Sequence, residues 1–289
     1  GRHYHCALIP AYITLITTCK PEEVDKYTDE SLKIVNFQLG ENHWFVADIL
    51  IASSSAHQNA NDLNTATKLA QSAAEIVHPL LGSAHPKTAR CSLLQGRIQR
   101  VLGNFANAQP LIQQALFSMT SAFGPNSVQV AECEFELADV LFDSGKSEEA
   151  EAEALKAYKI RQKMFEPDNS LVINCIQQLA LIYDTLNEVD KAFEYYRILI
   201  NFLKNLEDET IFEEMVKVMK NILCLFFRSF GITQRQTVNR IRRKEVSSDE
   251  MKSLFQKLID NDPIDYSKDL FEKYQKNGDP SDFDSLAAI

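Results

Sequence analysis

The sequence has 289 residues, 45% apolar and 24% charged, with a formal net charge of −10. That length and apolar share exclude a chain disordered throughout and suffice for one large or two smaller cores. Residues 231–289 hold 10 Lys/Arg against 11 Asp/Glu, so about nine of the ten excess negatives fall in residues 1–230, the opposite of what a general nucleic-acid binder needs.

With 9 Gly, 9 Pro and little strict alternation of apolar and polar residues, the chain reads as all-α. Six cysteines without a C-x-x-C pair fit neither a disulfide framework nor a zinc signature, which predicts a reducing, intracellular and cytoplasmic setting. No run of 18 apolar residues is present, and residues 1–19 lack the order of a signal peptide, so membrane insertion is not expected. A start at Gly1 without Met predicts a fragment of something larger.

In chain order, His3, His5 and Cys6 come first; they have the chemistry of metal ligands but no partner set at suitable spacing, and read as structural or terminal residues. From there the sequence repeats itself at 42 residues without insertion or deletion. "CKPEEV" at Cys19 to Val24 lies three periods before "GKSEEA" at Gly145 to Ala150. Leu39, Leu81, Phe123 and Phe165 head successive copies, followed by Gly40, Gly82, Gly124 and Glu166. His43, His85, Ser127 and Asn169 fall where a first helix needs an N-cap. Trp44, next to His43, reads as a hydrophobic staple.

Gly or Asn then marks an inter-helix turn at Asn61, Gly103, Gly145 and Asn187. Small residues recur at Ala66, Ala108, Ala150 and Ala192, and at Ala73, Ala115 and Ala157 with Leu199 as the exception. The first helices carry Ser54, Gly96, Ala138 and Ala180 at one equivalent position, where a small side chain lets two antiparallel helices approach closely. Five helix pairs result, at about 1–38, 39–80, 81–122, 123–164 and 165–206, with helices of about 14 residues. No pair buries its apolar face alone, so stacking in a solenoid is expected. Cys91, Cys133 and Cys175 also lie 42 apart; stacked helices stand about 8–10 Å apart, too far for one metal ion, so these cysteines read as buried apolar fillers.

After the repeats, Ile211, Phe212, Met215, Val218, Met219, Ile222 and Leu223 form an i, i+3/i+4 stripe, which predicts a capping helix over 207–230. Residues 231–289 read as a helical C-terminal extension and tail. Arg240, Arg242, Arg243 and Lys244 read as a solvated basic turn, the alternative being a nuclear-import or phosphate-binding patch. The closing segment, with Asp282, Phe283, Asp284 and Leu286, is chemically suited to dock near Arg97, the alternative being a disordered end.

The pattern of leucine, small residue, Gly, Ala and Ala in "LADVLFDSGKSEEAEAEALKA" and "LALIYDTLNEVDKAFEYYRIL" resembles the tetratricopeptide repeat. The 42-residue spacing is similar to the longer repeats of kinesin light chains, over about residues 1–206. The resemblance implies a right-handed superhelical solenoid whose first helices line a concave groove for an extended peptide or a partner helix. Carried over residue by residue, it places Arg90, Leu93, Arg97 and Arg100 in that groove in the third copy, Glu132, Phe135, Asp139 and Phe142 in the fourth, and Asn174, Gln177 and Leu181 in the fifth. Kinesin light chains favour paired asparagines in "LNNLA"; this sequence departs from them with Leu93-Leu94, Phe135-Glu136 and Gln177-Gln178.

The arginines lie along one side of one helix, and two readings follow. They bind an acidic peptide while Phe135 and Phe142 receive an apolar side chain, or they pair with Glu132, Asp139 and Asp143 of the neighbouring helix and hold the repeats together. No G-x-x-x-x-G-K-[ST], G-x-S-x-G or H-E-x-x-H motif occurs. The expected function is therefore a non-enzymatic interaction scaffold or adaptor with no cofactor and no metal. The alternatives are the helical-repeat portion of a larger enzyme, for example a SET-type methyltransferase, and a structural subunit that self-associates through Phe226, Phe227 and Phe230.

Overall fold

The computed structural model describes residues 8–204 together with residue 221, and among these the secondary structure is helical without strands. A first helix, α1 (Ile9–Thr18), leads through a 3-10 turn at Pro21–Glu23 to α2 (Val24–Leu39). Then follow α3 (Trp44–Asn59), α4 (Leu63–Leu81), α5 (Pro86–Val101), α6 (Phe105–Phe123), α7 (Val128–Asp143) and α8 (Ser147–Met164), and finally α9 (Ser170–Thr185) and α10 (Val189–Lys204). The helices from α2 onward run 16 to 19 residues, longer than the 14 expected. The linking turns from α3 to α8 are only three or four residues long, two to a period, which leaves the remainder to the helices. The expected capping helix over 207–230, the extension over 231–289 with its basic turn and tail, and His3, His5 and Cys6 lie outside the described residues.

Local chemistry sets the helix ends. His43 Nδ1 accepts the amide of Phe45 at 3.2 Å, and His85 Nδ1 accepts that of Lys87 at 3.1 Å. Ser127 Oγ accepts the Val130 amide at 3.4 Å, and Asn169 Oδ1 accepts the Leu171 amide at 2.9 Å. Each takes up a backbone N–H that has no partner within the helix. The inter-helix turns need one residue in the left-handed region: Gly103 and Gly145 sit at φ 77° and 83°, and Asn61 and Asn187 at 63° and 60°. Asn is the residue other than glycine that tolerates this best, which explains its alternation with Gly at these positions.

The described residues fall into two units that divide between Met164 and Phe165. In the first, each helix packs on the next, α3 on α4, α4 on α5, and so on to α8, while α1 and α2 both pack on α3. In the second, α9 packs on α10. The periodic small residues lie at these contacts: Ala66, Ala73, Ala108, Ala115, Ala138, Ala150 and Ala157 are fully buried. Ser54 donates its hydroxyl to Ala66 O at 2.7 Å, a bond that requires the two backbones to be close. At the equivalent position of the third repeat a Cβ on Gly96 would stand 2.5 Å from Ile112 Cγ1 and 3.3 Å from Ala108 O. Glycine is there because its partner helix carries Ile112 where α4 and α8 carry Ala70 and Ala154.

Cys91, Cys133 and Cys175 are buried and form no disulfide. Burial pushes the Cys91 thiol up to about 11 and the Cys133 thiol up to about 12, so both are apolar fillers rather than nucleophiles.

Candidate functional site

The first helices α3, α5 and α7 carry a ladder of ion pairs from one repeat to the next. Lys87 of α5 places Nζ 2.7 and 2.8 Å from the two carboxylate oxygens of Asp48 on α3. The same ammonium lies 4.0 Å from the centroid of the Trp44 ring, a cation–π contact. Trp44 is therefore held by a residue of the following repeat, a role that its position beside the N-cap did not reveal.

Between α5 and α7 the ladder is denser. Arg97 donates from Nη2 to Glu132 Oε1 at 2.7 Å, and its Nε lies 2.8 Å from Glu136 Oε1. Arg100 donates from Nη1 to Asp143 Oδ2 at 2.8 Å, with Nη2 3.4 Å from Asp139 Oδ2. Burial favours loss of the Arg97 proton, but Glu136 and Glu132 outweigh it and hold its pKa above the ordinary value. Burial opposes the Arg100 charge as well, and Asp139 and Asp143 restore it. Burial raises the Glu136 carboxyl, partly offset by Arg97.

Of the two readings of the arginines, internal pairing is the arrangement seen for Arg97 and Arg100. Arg90, one helical face above Arg97 at i−7, is exposed and makes no ion pair among the described residues. Among the described residues the face therefore carries one cation without an ion pair, Arg90, and two arginines against four carboxylates farther along. Leu93 is only 3% exposed and is part of the core rather than of a surface open to a ligand. Phe135 is half-buried, and the Arg161 guanidinium lies over one face of its ring at 4.5 Å, where an apolar side chain was expected. Phe142 is half-buried near the end of α7.

In the second unit, Asn174, Gln177 and Leu181 share one side of α9 at i, i+3 and i+7. Asn174 and Leu181 are exposed and Gln177 is half-buried. Sequence reasoning missed Glu136, Lys87 and Arg161. A search for opposite charges 35 to 43 residues apart would have found Glu136 and Lys87, since the observed interhelical pairs lie 35, 39 and 43 apart.

Among the described residues no group of three or more His, Cys, Asp or Glu is placed to hold a metal ion, and no helix is long and apolar enough to cross a membrane.

Comparison with known proteins agrees with this architecture. Residues 95–163 and 129–204 match the tetratricopeptide repeat family model. Among solved structures, BtubC (BKLC) from P. vanneervenii superposes with a TM-score of 0.60 at 15% identity, covering 71% of this chain and 84% of that one. Nearly identical TPR-like repeats of a kinesin light chain from Podosopora anserina superpose with a TM-score of 0.55 at 15% identity, covering 70% of this chain and 96% of that one. At such identity the likeness is one of fold. No curated protein matches the sequence. The fold is thus all-α, with consecutive helix pairs of the tetratricopeptide type, and repeats of this type generally mediate protein–protein interaction and are typically non-catalytic.

Proposed function

We propose that this tetratricopeptide-repeat chain is a non-enzymatic, cytoplasmic scaffold whose first-helix face, formed by α3, α5 and α7, binds an extended segment or a helix of a partner protein. The observation that carries the reading is Arg90: an exposed guanidinium without an ion pair, on a face where Lys87, Arg97 and Arg100 are all held by carboxylates. Arginine offers a bidentate fork to a carboxylate, so a partner's acidic side chain anchors there without displacing an internal pair. An acid directed at Arg97 or Arg100 has to compete with two carboxylates on each. The acidic character of the partner is thereby confined to one end of the face, and the α7 end, with its surplus of carboxylates, tolerates a basic residue.

The test is quantitative capture of cellular partners by the wild-type chain, by Arg90→Glu and by Lys159→Glu, an exposed control on α8. Arg90→Glu leaves every internal ion pair in place, whereas reversing Arg97 or Arg100 breaks them. Partners held by the wild type and by Lys159→Glu but lost from Arg90→Glu support the proposal. An identical partner set for all three proteins overturns it.

A further inference from the structure

On the side of α5 opposite its arginines, two positions differ from those of the repeats that follow, and from the buried Ser53 and His57 of the repeat before. The fourth repeat places Leu137 and Leu141 at two successive inward positions of its first helix, and the fifth places Leu179 and Tyr183 there, all four buried. In the third repeat the same positions are Gln95 and Gln99, both only half-buried. At 100° per residue these glutamines point about 160° away from Arg97 on the helix, so they belong to a different surface from the first-helix face.

A cavity of about 250 Å³ opens where the leucines would have packed, in the seam between α4, α5 and α6. Its lining is apolar at Ala70, Ile98 and Leu111 and carries the side-chain amides of Gln71, Gln95, Gln99 and Asn107, of which Gln71 donates to Glu75 Oε1 at 3.1 Å. The volume equals the share of about eight liquid waters, enough for one large side chain. Gln99 Oε1 already accepts from Asn104 Nδ2 at 3.0 Å, which fixes its orientation and leaves its NH2 group available. Gln95 and Asn107 make no side-chain hydrogen bond among the described residues. None of the eight lining residues is ionisable.

We propose that this seam is a binding site for an uncharged segment of a partner protein, one apolar side chain of which fills the cavity while its backbone amides pair with Gln95, Gln99 and Asn107. Three features select that ligand. The apolar lining rewards removal of an aliphatic or aromatic side chain from water. Carboxamides match peptide N–H and C=O groups, donor to acceptor and acceptor to donor. An anion entering the seam would lose hydration with no counter-charge among the lining residues to replace it. The site stands independently of the first-helix face, because it shares no residue with it.

The experiment follows the side-chain NH2 signals of the full 15N-labelled chain during titration with N-acetyl-leucinamide, and in parallel with the anion of N-acetyl-leucine. Saturable shifts of the Gln95, Gln99 and Asn107 signals with the amide, and binding of the anion about tenfold weaker, are the expected result. In Gln95→Leu/Gln99→Leu, which installs the residues of the fourth repeat and fills the cavity, the Asn107 response should weaken at least about tenfold. Should that variant lose its helical circular dichroism, Gln95→Glu keeps the cavity volume and adds a charge, and the same loss of affinity is expected. Absence of a saturable shift in the wild type, equal binding of the anion, or wild-type affinity in the folded variant overturns the proposal.

Discussion

Replacing Glu134 with Gln tests how this fold tolerates a buried carboxylate. Glu134 lies on α7 and is only 8% exposed. Its Oε2 has no hydrogen-bond partner, and neither does the buried Oε2 of Glu153 on α8, whose Oε1 is held by Lys156 at 2.8 Å. Burial first, and then the Glu153 charge, push the Glu134 carboxyl from 4.5 up to about 7, against the pull of Lys156. A proton on Glu134 relieves the repulsion and gives its carboxyl a donor of its own. Because the folded-state value is raised, the folded chain holds between about pH 4.5 and 7 a proton that the unfolded chain releases. Stability therefore falls as pH rises through that window and levels off above it. The full shift corresponds to about 3 kcal/mol, which relaxation around Lys156 reduces to roughly 1–2 kcal/mol. Gln has the same shape, stays neutral and brings its own donors. Urea denaturation followed by far-UV circular dichroism at pH 5 and pH 8 should show a stability loss in the wild type that is smaller by that amount in Glu134→Gln. An equal pH slope in the two proteins would refute the reasoning.

Gly96→Ala should destabilise the chain by about 1 kcal/mol, because the strain of a Cβ 2.5 Å from Ile112 Cγ1 exceeds the helix-propensity gain of about 1 kcal/mol. Combined with Ile112→Ala, which recreates the Ala138 and Ala154 arrangement of the fourth repeat, the two changes should cost about 1 kcal/mol less than their sum in a double-mutant cycle; strict additivity would show that Ile112 does not exclude the methyl group. Alkylation at pH 8, read residue by residue by mass spectrometry, should label half-buried Cys19 well before Cys91 and Cys133, whose thiols burial pushes up to about 11 and 12. Labelling of Cys133 as fast as Cys19 in the folded protein contradicts that placement.

The sequence by itself determined the all-α class, the caps at His43, His85, Ser127 and Asn169, the left-handed turns at Asn61, Gly103, Gly145 and Asn187, and the burial of the recurrent alanines and cysteines. These features answer to backbone geometry and side-chain size, which act over a few residues and return with each period. The site was legible only as residue types: arginines on α5, and carboxylates on α7 with two phenylalanines among them. Tertiary structure decided that Arg97 and Arg100 are ion-paired from within while Arg90 is not, that Arg161 covers Phe135, that Lys87 rests on Trp44, and that Leu93 is buried. Each of those outcomes depends on which side chains of different helices come within hydrogen-bond or van der Waals reach. Charge and volume are balanced across the seam between helices, where a residue's own neighbours in the chain have no say.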